Sequence, residues 1–430
     1  DDHGRDRTAA RTRERRERDL APLTDAELAD HLEDVREHVL RVADDHFDLA
    51  VGAIYLSMGR LGMFVEEALG WSLPDIMTLV QGYGTSSTAH GDAIRTLIDG
   101  LGPEGVDAAL ADPTTLLSHP AGRVYVEAWG HRVQMDLARP TEAEQPALIA
   151  AHLRRHIGSS RPVTDRTATA DAAAERARAS LALASDRRRF DELLLLARRA
   201  RPTGDETEGT VLEAITLVRF VALEAARRLE VDGRLPDKRD VFFLEQHELA
   251  ALLRSPSAPA PDVSRRRSEF RWALANPVPE HVGPDPAPPL PPSVAPKTHR
   301  GTVGAVLWSV GASDPEPPEP DGPDGDVRRG LPGSPGVAEG PVRIIRDPSE
   351  FHRIQPGDIV VCAITQASWS PVFDVIGGLV TEQGGPLSHP GTLAREYGLP
   401  CVLSVPRAME RCAELGFVRI DGTEGTVSPA

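Results

Sequence analysis

Residues 384–398 read GGPLSHPGTLAREYG, and they follow a strand-like apolar run at 376–381. Ser388 stands where a helix N-cap belongs, so its hydroxyl is expected to accept a backbone N–H of the first turn. Pro390 suits that turn because its missing N–H costs nothing there. The pattern therefore predicts a strand, a glycine turn and a short helix with His389 at its N-terminus.

The predicted helix covers 391–397 and ends at Gly398, a typical C-terminal stop. His389 would then lie where free backbone N–H groups and the positive end of the helix dipole favour a phosphoryl group. A histidine that carries such a group must attack phosphorus with a neutral ring nitrogen. His389 is therefore a candidate catalytic residue, with an ordinary surface histidine as the alternative.

Several neighbours of His389 are predicted to support the phosphoryl oxygens. Two hydroxyls and a guanidinium are candidate hydrogen-bond donors. The paired glycines would let the backbone pass close to an incoming phosphoryl donor. The predicted supporting residues are Gly384, Gly385, Ser388, Thr392 and Arg395.

Taken alone, a histidine beside a serine is more often an ordinary surface residue. The whole string, however, resembles the phosphohistidine swivelling domain of the phosphoenolpyruvate-utilising enzymes, which include phosphoenolpyruvate synthase, pyruvate phosphate dikinase and rifampicin phosphotransferase. The shared pattern is Thr-x-x-Gly-Gly-x-x-Ser/Cys-His, then Ala-Arg-Glu and x-Gly-ϕ-Pro, and it covers 381–400 here. The departure is Pro390-Gly391, where relatives usually have small helix formers such as alanine.

The resemblance implies a mechanism and a set of partners. In the family, an ATP-grasp domain uses ATP and Mg²⁺ to phosphorylate the histidine, and the domain then swings to a second site, where an acceptor receives the phosphoryl group. This sequence contains no glycine-rich phosphate loop followed by acidic metal ligands. ATP and Mg²⁺ are therefore expected to be bound by an ATP-grasp domain that is missing here or belongs to a partner chain.

Composition and charge exclude several other classes of protein. The chain has 430 residues and a net charge of −17, with no basic face that would favour a nucleic-acid partner. It has no apolar run long enough to cross a membrane and no signal-peptide pattern, so a cytoplasmic location is expected. The three cysteines lack metal-ligand spacing, so no metal site is predicted in this chain.

The predicted fold is multidomain, α plus α/β. A Pro-rich linker is interpreted as a tether that lets the last domain travel, with a tolerated surface insertion as the alternative. Its apolar island, 301–310, could dock onto a neighbouring element. The predicted segments are a charged N-terminal segment (1–19), a helical acceptor- or substrate-binding domain (20–275), the Pro-rich linker (276–330) and a β/α swivelling phosphohistidine domain (331–430).

The helical half carries clear helix signals. Thr24 and Glu27 form a capping-box pattern before an amphipathic run. Further helices are expected at 169–200 and 209–232, with residues 203–206 between them.

Two strings in the helical half are candidates for ligand contact. Residues 81–88, QGYGTSST, are either a ligand-facing loop or an ordinary linker with a helix cap. Residues 125–140 place several donors and an acid close together, with a structural ion-pair network as the alternative. This second string resembles a motif in the central helical domain of rifampicin phosphotransferase and its relatives, although its insert is shorter and Gln134 stands about where relatives have glutamate. The substrate-binding residues implied are His131, Arg132 and Asp136.

Three functions remain open from the sequence. The leading hypothesis is a phosphotransferase that relays a phosphoryl group through His389 to a small hydroxylated metabolite bound by the helical domain. A second is phosphorylation coupled to elimination, which would give a net dehydration. A third is a non-catalytic binding or scaffold subunit with a vestigial swivelling domain. The intact His389 and its paired glycines favour the catalytic hypotheses, because a vestigial site would be free to lose them.

Overall fold

The computed structural model describes residues 2–47, 52–83, 86–132, 136–157, 166–276, 283, 292–309, 327–365 and 367–430. Within these ranges the chain is mostly helical and ends in a mixed β-sheet, which agrees with the predicted α plus α/β layout. No helix in the described part of the chain is long and apolar enough to cross a membrane. The chain forms two compact units, the first unit (Asp1–Phe47, His131–Thr141 and Thr207–Pro288) and the second unit (Asp48–Gly130, Glu142–Glu206 and Pro289–Ala430).

The elements follow one another along the chain as a long helical series and then a sheet with two further helices. The helices are α1 (Asp2–Arg16), α2 (Asp25–Asp45), α3 (Gly52–Leu69), α4 (Leu73–Thr78), α5 (Ser86–Ala111), α6 (Thr115–Ser118), α7 (Pro120–Trp129), α8 (Ala147–Ile157), α9 (Arg166–Ser180), α10 (Ala184–Val231), α11 (Gln246–Arg254), α12 (Val263–Ala275), α13 (Arg300–Ser309), α14 (His389–Tyr397) and α15 (Ala408–Leu415). The strands are β1 (Arg328–Arg329), β2 (Leu331–Ser334), β3 (Val337–Ile344), β4 (Ile359–Cys362), β5 (Gly378–Thr381), β6 (Cys401–Leu403), β7 (Phe417–Asp421) and β8 (Thr426–Pro429). Short 3₁₀ helices occupy Lys238–Phe243, Pro292–Val294, Pro348–Arg353 and Ala367–Val372.

The core of the first unit is formed by α2, α11 and the end of α10. Its buried side chains include Leu28 of α2, Val221 of α10 and Leu252 of α11. The predicted capping box at the start of α2 is confirmed, because Thr24 N–H donates to Glu27 Oε2 at 2.7 Å and Glu27 N–H donates to Thr24 Oγ1 at 3.3 Å. The amphipathic pattern therefore identified both the start of α2 and its buried face.

One predicted helix boundary is wrong. The sequence placed a break at 203–206, whereas α10 continues through that string with Pro202 inside it, and the break lies at 181–183. There the Arg187 guanidinium donates to the carbonyls of Leu181 (2.8 Å) and Ala182 (3.0 Å). These bonds satisfy backbone acceptors that a helix end leaves unpaired, so the chain can break where no glycine or proline marks it.

Helix α13 belongs to the second unit and packs closely on α3. A Cβ added at Gly59 would lie 1.9 Å from the carbonyl oxygen of Ala305, so only glycine allows this backbone contact. Trp308 Nε1 donates to Glu66 Oε2 at 3.0 Å. The apolar island therefore docks on a neighbouring helix, as the sequence suggested. Residues 310–326, which hold the acidic Pro-rich part of the predicted tether, lie outside the described residues, and the tether stays a prediction.

The sheet runs in the order β1-β8-β7-β3-β4-β5-β6-β2. Strands β3, β4, β5 and β6 are parallel, whereas β7 pairs antiparallel with β3, and β2 pairs antiparallel with β6. Every residue of β4, β5 and β6 is buried. Parallel strands covered on both faces have continuous apolar sequences, as in the strand-like run at 376–381 that predicted β5.

This topology brings two loops together. Strands β4 and β5 are parallel neighbours, with Cys362 paired to Thr381 at their carboxyl ends. The loops that follow them therefore emerge at the same edge of the sheet, where ligands commonly bind in parallel α/β folds. The loop after β5 contains Gly384 and Gly385 and leads into α14.

Candidate active site

His389 is the first residue of α14, and Ser388 is its N-cap with φ −66° and ψ 158°. The expected capping hydrogen bond is absent, however, so that detail of the prediction is wrong. The Ser388 hydroxyl instead donates to the carbonyl of Gly385 at 2.7 Å, and the Ser388 N–H donates to the same carbonyl at 3.0 Å. The tight turn brings this carbonyl within reach, so the side chain stabilises the turn rather than the first turn of the helix.

Gly384 is required by both backbone conformation and space. Its φ of +125° is a value that residues with a side chain rarely adopt, and an added Cβ would lie 2.8 Å from Ser388 Oγ. Its carbonyl accepts a hydrogen bond of 2.7 Å from the Ser404 hydroxyl, which follows β6. Gly384 thus sets the turn from which His389 emerges.

Arg395 stabilises the same turn through hydrogen bonds to backbone carbonyls. It is 3% exposed, and its terminal nitrogens donate to the carbonyls of Gly333 at 2.6 Å and Pro386 at 2.5 Å. Burial lowers the pKa of Arg395 to about 9. These bonds give the guanidinium a positioning role, and direct phosphate contact by Arg395 or by the buried Thr392 stays a prediction.

The unusual glycine after Pro390 fits this arrangement. A Cβ at Gly391 would lie 3.0 Å from Leu403 Cδ1 and 3.2 Å from Arg395 Nη1. The absence of a side chain therefore accommodates the buried guanidinium. The end of the helix is as predicted, since Gly398 is left-handed with φ 60° and Leu399 N–H donates to the Ala394 carbonyl at 2.8 Å.

Thr365 is a site residue that the sequence did not reveal. Its Oγ1 lies 3.0 Å from His389 Nδ1, and the ring of Phe373 meets the imidazole edge-on at 6.5 Å between centroids. In the tautomer with the proton on Nδ1, this N–H donates to Thr365 and the Nε2 lone pair is left for attack. The available signal was the position of Thr365 just after β4, at the sheet edge shared with β5.

The protonation state of His389 suits a nucleophile. Burial lowers the pKa of His389 to about 3, because transfer out of water disfavours the charged imidazolium. The ring is therefore neutral at neutral pH and keeps a lone pair. Among the described residues, no group of three histidine, cysteine or acidic side chains is placed to share a metal ion.

The three residues predicted to bind substrate lie in the first unit. In the described contacts, each of them meets a different partner. Arg132 Nε lies 3.4 Å from Glu213 Oε1, and Asp136 pairs with Arg139 at 3.3 Å. His131 meets the ring of Phe220 edge-on at 6.3 Å. The structure thus places ion pairs along this segment, and a shared substrate site there stays a prediction. Gln134 lies outside the described residues.

The second unit also contains a buried polar network that the sequence did not reveal. The Tyr125 hydroxyl lies 2.7 Å from His90 Nε2 and 2.8 Å from Glu142 Oε2, and His152 Nε2 lies 3.1 Å from Glu142 Oε1. Burial would raise the pKa of Glu142, but the bond and charge of His152, helped by His90 and Tyr125, lower that pKa to about 2. The network ties α5, α7 and α8 together through satisfied buried groups.

The comparisons with known proteins agree with this geometry. Residues 354–425, which include Thr365 and all of α14, match the family described as PEP-utilising enzyme, mobile domain. Residues 354–425 are therefore similar to the mobile domain of the phosphoenolpyruvate-utilising enzymes, and we call this segment the mobile domain.

Its relatives include rifampicin phosphotransferases. The chain is 28% identical to the rifampicin phosphotransferase of Streptomyces sviceus over 95% of its own length and 47% of that protein. It is 45% identical to the Bacillus cereus rifampicin phosphotransferase over 23% of its own length and 11% of that protein. A 30% identity to the uncharacterized phosphotransferase YvkC of Bacillus subtilis covers 49% of the chain and 23% of that protein. The chain thus spans less than half the length of each of these relatives.

Proposed function

We propose that the chain is the carrier and acceptor part of a phosphotransferase. A phosphoryl group that originates in ATP is relayed through phospho-His389 to a small hydroxylated metabolite. The observation that carries this proposal is the neutral imidazole at the start of α14, with Nδ1 held by Thr365 at 3.0 Å. Relatives with the printed name rifampicin phosphotransferase support the reaction class.

The relay consists of two displacements at phosphorus. In the first, the Nε2 lone pair forms a bond to phosphorus while the bond to the donor's leaving oxygen breaks, and that oxygen takes the electron pair. In the second, the acceptor hydroxyl forms the new P–O bond, the P–N bond breaks with its electron pair returning to Nε2, and the hydroxyl proton passes to water. This chain's part is to hold Nε2 with a free lone pair and to present it beside the helix N-terminus.

We assign ATP and Mg²⁺ to an ATP-grasp domain, either in another part of the same polypeptide or in a partner chain. Such a site needs a triphosphate cradle, a cation on the phosphates and carboxylates on the metal. The sequence offers no such grouping, and its net charge of −17 does not favour an anionic nucleotide. Elimination after phosphorylation would use the same carrier and is the alternative outcome at the acceptor.

The test is phosphorylation of the 430-residue chain, read by intact mass. With Mg·ATP alone we expect no mass gain, and with an added ATP-grasp protein of this family we expect one acid-labile phosphoryl group per chain. Titration calorimetry with Mg·ATP checks the first half. Micromolar ATP binding with spontaneous labelling would show that this chain has its own nucleotide site.

The acceptor step is expected to depend on the segment around His131. His131→Ala should lose product formation and leave phosphorylation of His389 intact, because the two steps use residues of different segments. The matched control is His247→Ala, which replaces an exposed histidine of α11 in the same unit. A loss of both steps with the fold retained, or of neither, would contradict this division.

A further inference from the structure

Two carboxylates of the mobile domain are buried against helices of the second unit. Asp374 Oδ2 lies 2.8 Å from His156 Nε2 of α8 and 3.2 Å from Arg95 Nη1 of α5, and the Asp374 side chain is 7% exposed. Glu396, in α14, is 3% exposed and accepts the Gly82 N–H at 2.9 Å. We call Asp374 and Glu396 the docking carboxylates.

Two arginines, one in α9 and one in α10, also lie near Glu396. Arg201 Nη2 of α10 lies 4.0 Å from Glu396 Oε1. Burial lowers the pKa of Arg166, and the charge of Glu396 partly restores it. Arg166 also covers the end of α14, since a Cβ at Gly398 would lie 2.0 Å from Arg166 Nη2. Both docking carboxylates are therefore paired with groups that precede the Pro-rich linker in sequence.

The surfaces also fit sterically at this point. A Cβ at Gly91 of α5 would lie 2.6 Å from the Tyr397 hydroxyl and 3.1 Å from Asp374 Oδ2. Leu387, two residues before the candidate carrier, packs against the apolar core that α3, α4, α9, α10 and α13 build. The turn that presents His389 is thus part of the contact.

We propose that Asp374 and Glu396 form a reversible electrostatic clamp. The clamp docks the mobile domain on α5, α8, α9 and α10 of the second unit and holds His389 in one of the positions that it occupies during the relay. A buried carboxylate is costly without partners, so each one favours the docked position only while its cations and N–H donors are in place. On release both carboxylates and their partners return to water, which offsets the lost pairs. The proposal rests on the proposed function only in taking this docked position as one step of a relay.

Hydrogen–deuterium exchange of the full chain tests the clamp without any activity. In the double variant Asp374→Asn, Glu396→Gln, amides of α14 and of the first half of α5 should exchange about tenfold faster or more, because hydrogen bonds to charged groups are lost. Amides of α15, on the opposite side of the sheet, should not change. The matched control is Glu410→Gln, which removes an exposed carboxylate that pairs with Arg407 in the same domain.

A steric variant provides a second test of the clamp if the double charge variant folds poorly. Gly91→Leu should accelerate the same amides, whereas Gly301→Leu, with no heavy atom within 4 Å of its added Cβ, should not. Unchanged exchange in α14, or equal acceleration in α15, would overturn the clamp. If the exchange result holds while the wild-type chain accepts no phosphoryl group from an ATP-grasp protein, the proposed function fails and the clamp stands.

Discussion

His389→Asn is expected to abolish acid-labile phosphate incorporation into the chain. Asparagine is polar and can still hydrogen-bond to Thr365, but its amide nitrogen has no lone pair available for attack on phosphorus. Because the residue lies in the first turn of α14, where its backbone N–H has no intrahelical partner to lose, the fold should persist. The measurement is intact mass after incubation with Mg·ATP and an ATP-grasp protein, with circular dichroism to confirm folding.

The matched control is His352→Asn, which changes an exposed histidine of the same domain and should keep full labelling. The pH profile adds an independent check. Since the pKa of His389 is about 3, its ring stays neutral as the pH falls through the ordinary histidine range, and labelling should show no loss from its protonation there. Undiminished labelling of folded His389→Asn would eliminate this residue as the carrier.

The C-terminal domain was predictable because its local signals agree with one another. Strands β4 and β5 are short continuous apolar runs, and α14 lies between a serine N-cap and Gly398. Each signal depends on neighbours in sequence, so reading along the chain was enough to find the elements and His389.

The features that the sequence did not reveal depend on contacts between residues far apart in sequence. Thr365 is 24 positions from His389, and their contact follows only from the pairing of β4 with β5. The Ser388 hydroxyl had two possible partners, and the turn geometry decided for the Gly385 carbonyl. Asp374 and His156 are 218 positions apart, and neither stands in a motif.

Gly384→Ala is expected to have the second largest effect on phosphorylation. The φ of +125° at this position is disfavoured for any residue with a Cβ, at a cost of roughly 1–3 kcal/mol. The new methyl group would also lie 2.8 Å from Ser388 Oγ, so the turn must shift. The shift moves Ser388 and the start of α14, and a displacement of about 1 Å at a reacting group can reduce its rate about 100-fold. The measurement is the initial rate of labelling with a fixed amount of ATP-grasp protein.

The control must separate backbone strain from the position of the histidine. Gly416→Ala does so, because Gly416 has φ +69° in the same domain and its added Cβ would meet no heavy atom within 4 Å. Both variants should lose roughly 1–3 kcal/mol of unfolding free energy in denaturant titrations. Only Gly384→Ala should also lose labelling, since only its strain is transmitted through Ser388 to the first turn of α14. Equal labelling losses in the two variants would mean that general destabilisation, rather than the placement of His389, limits the reaction.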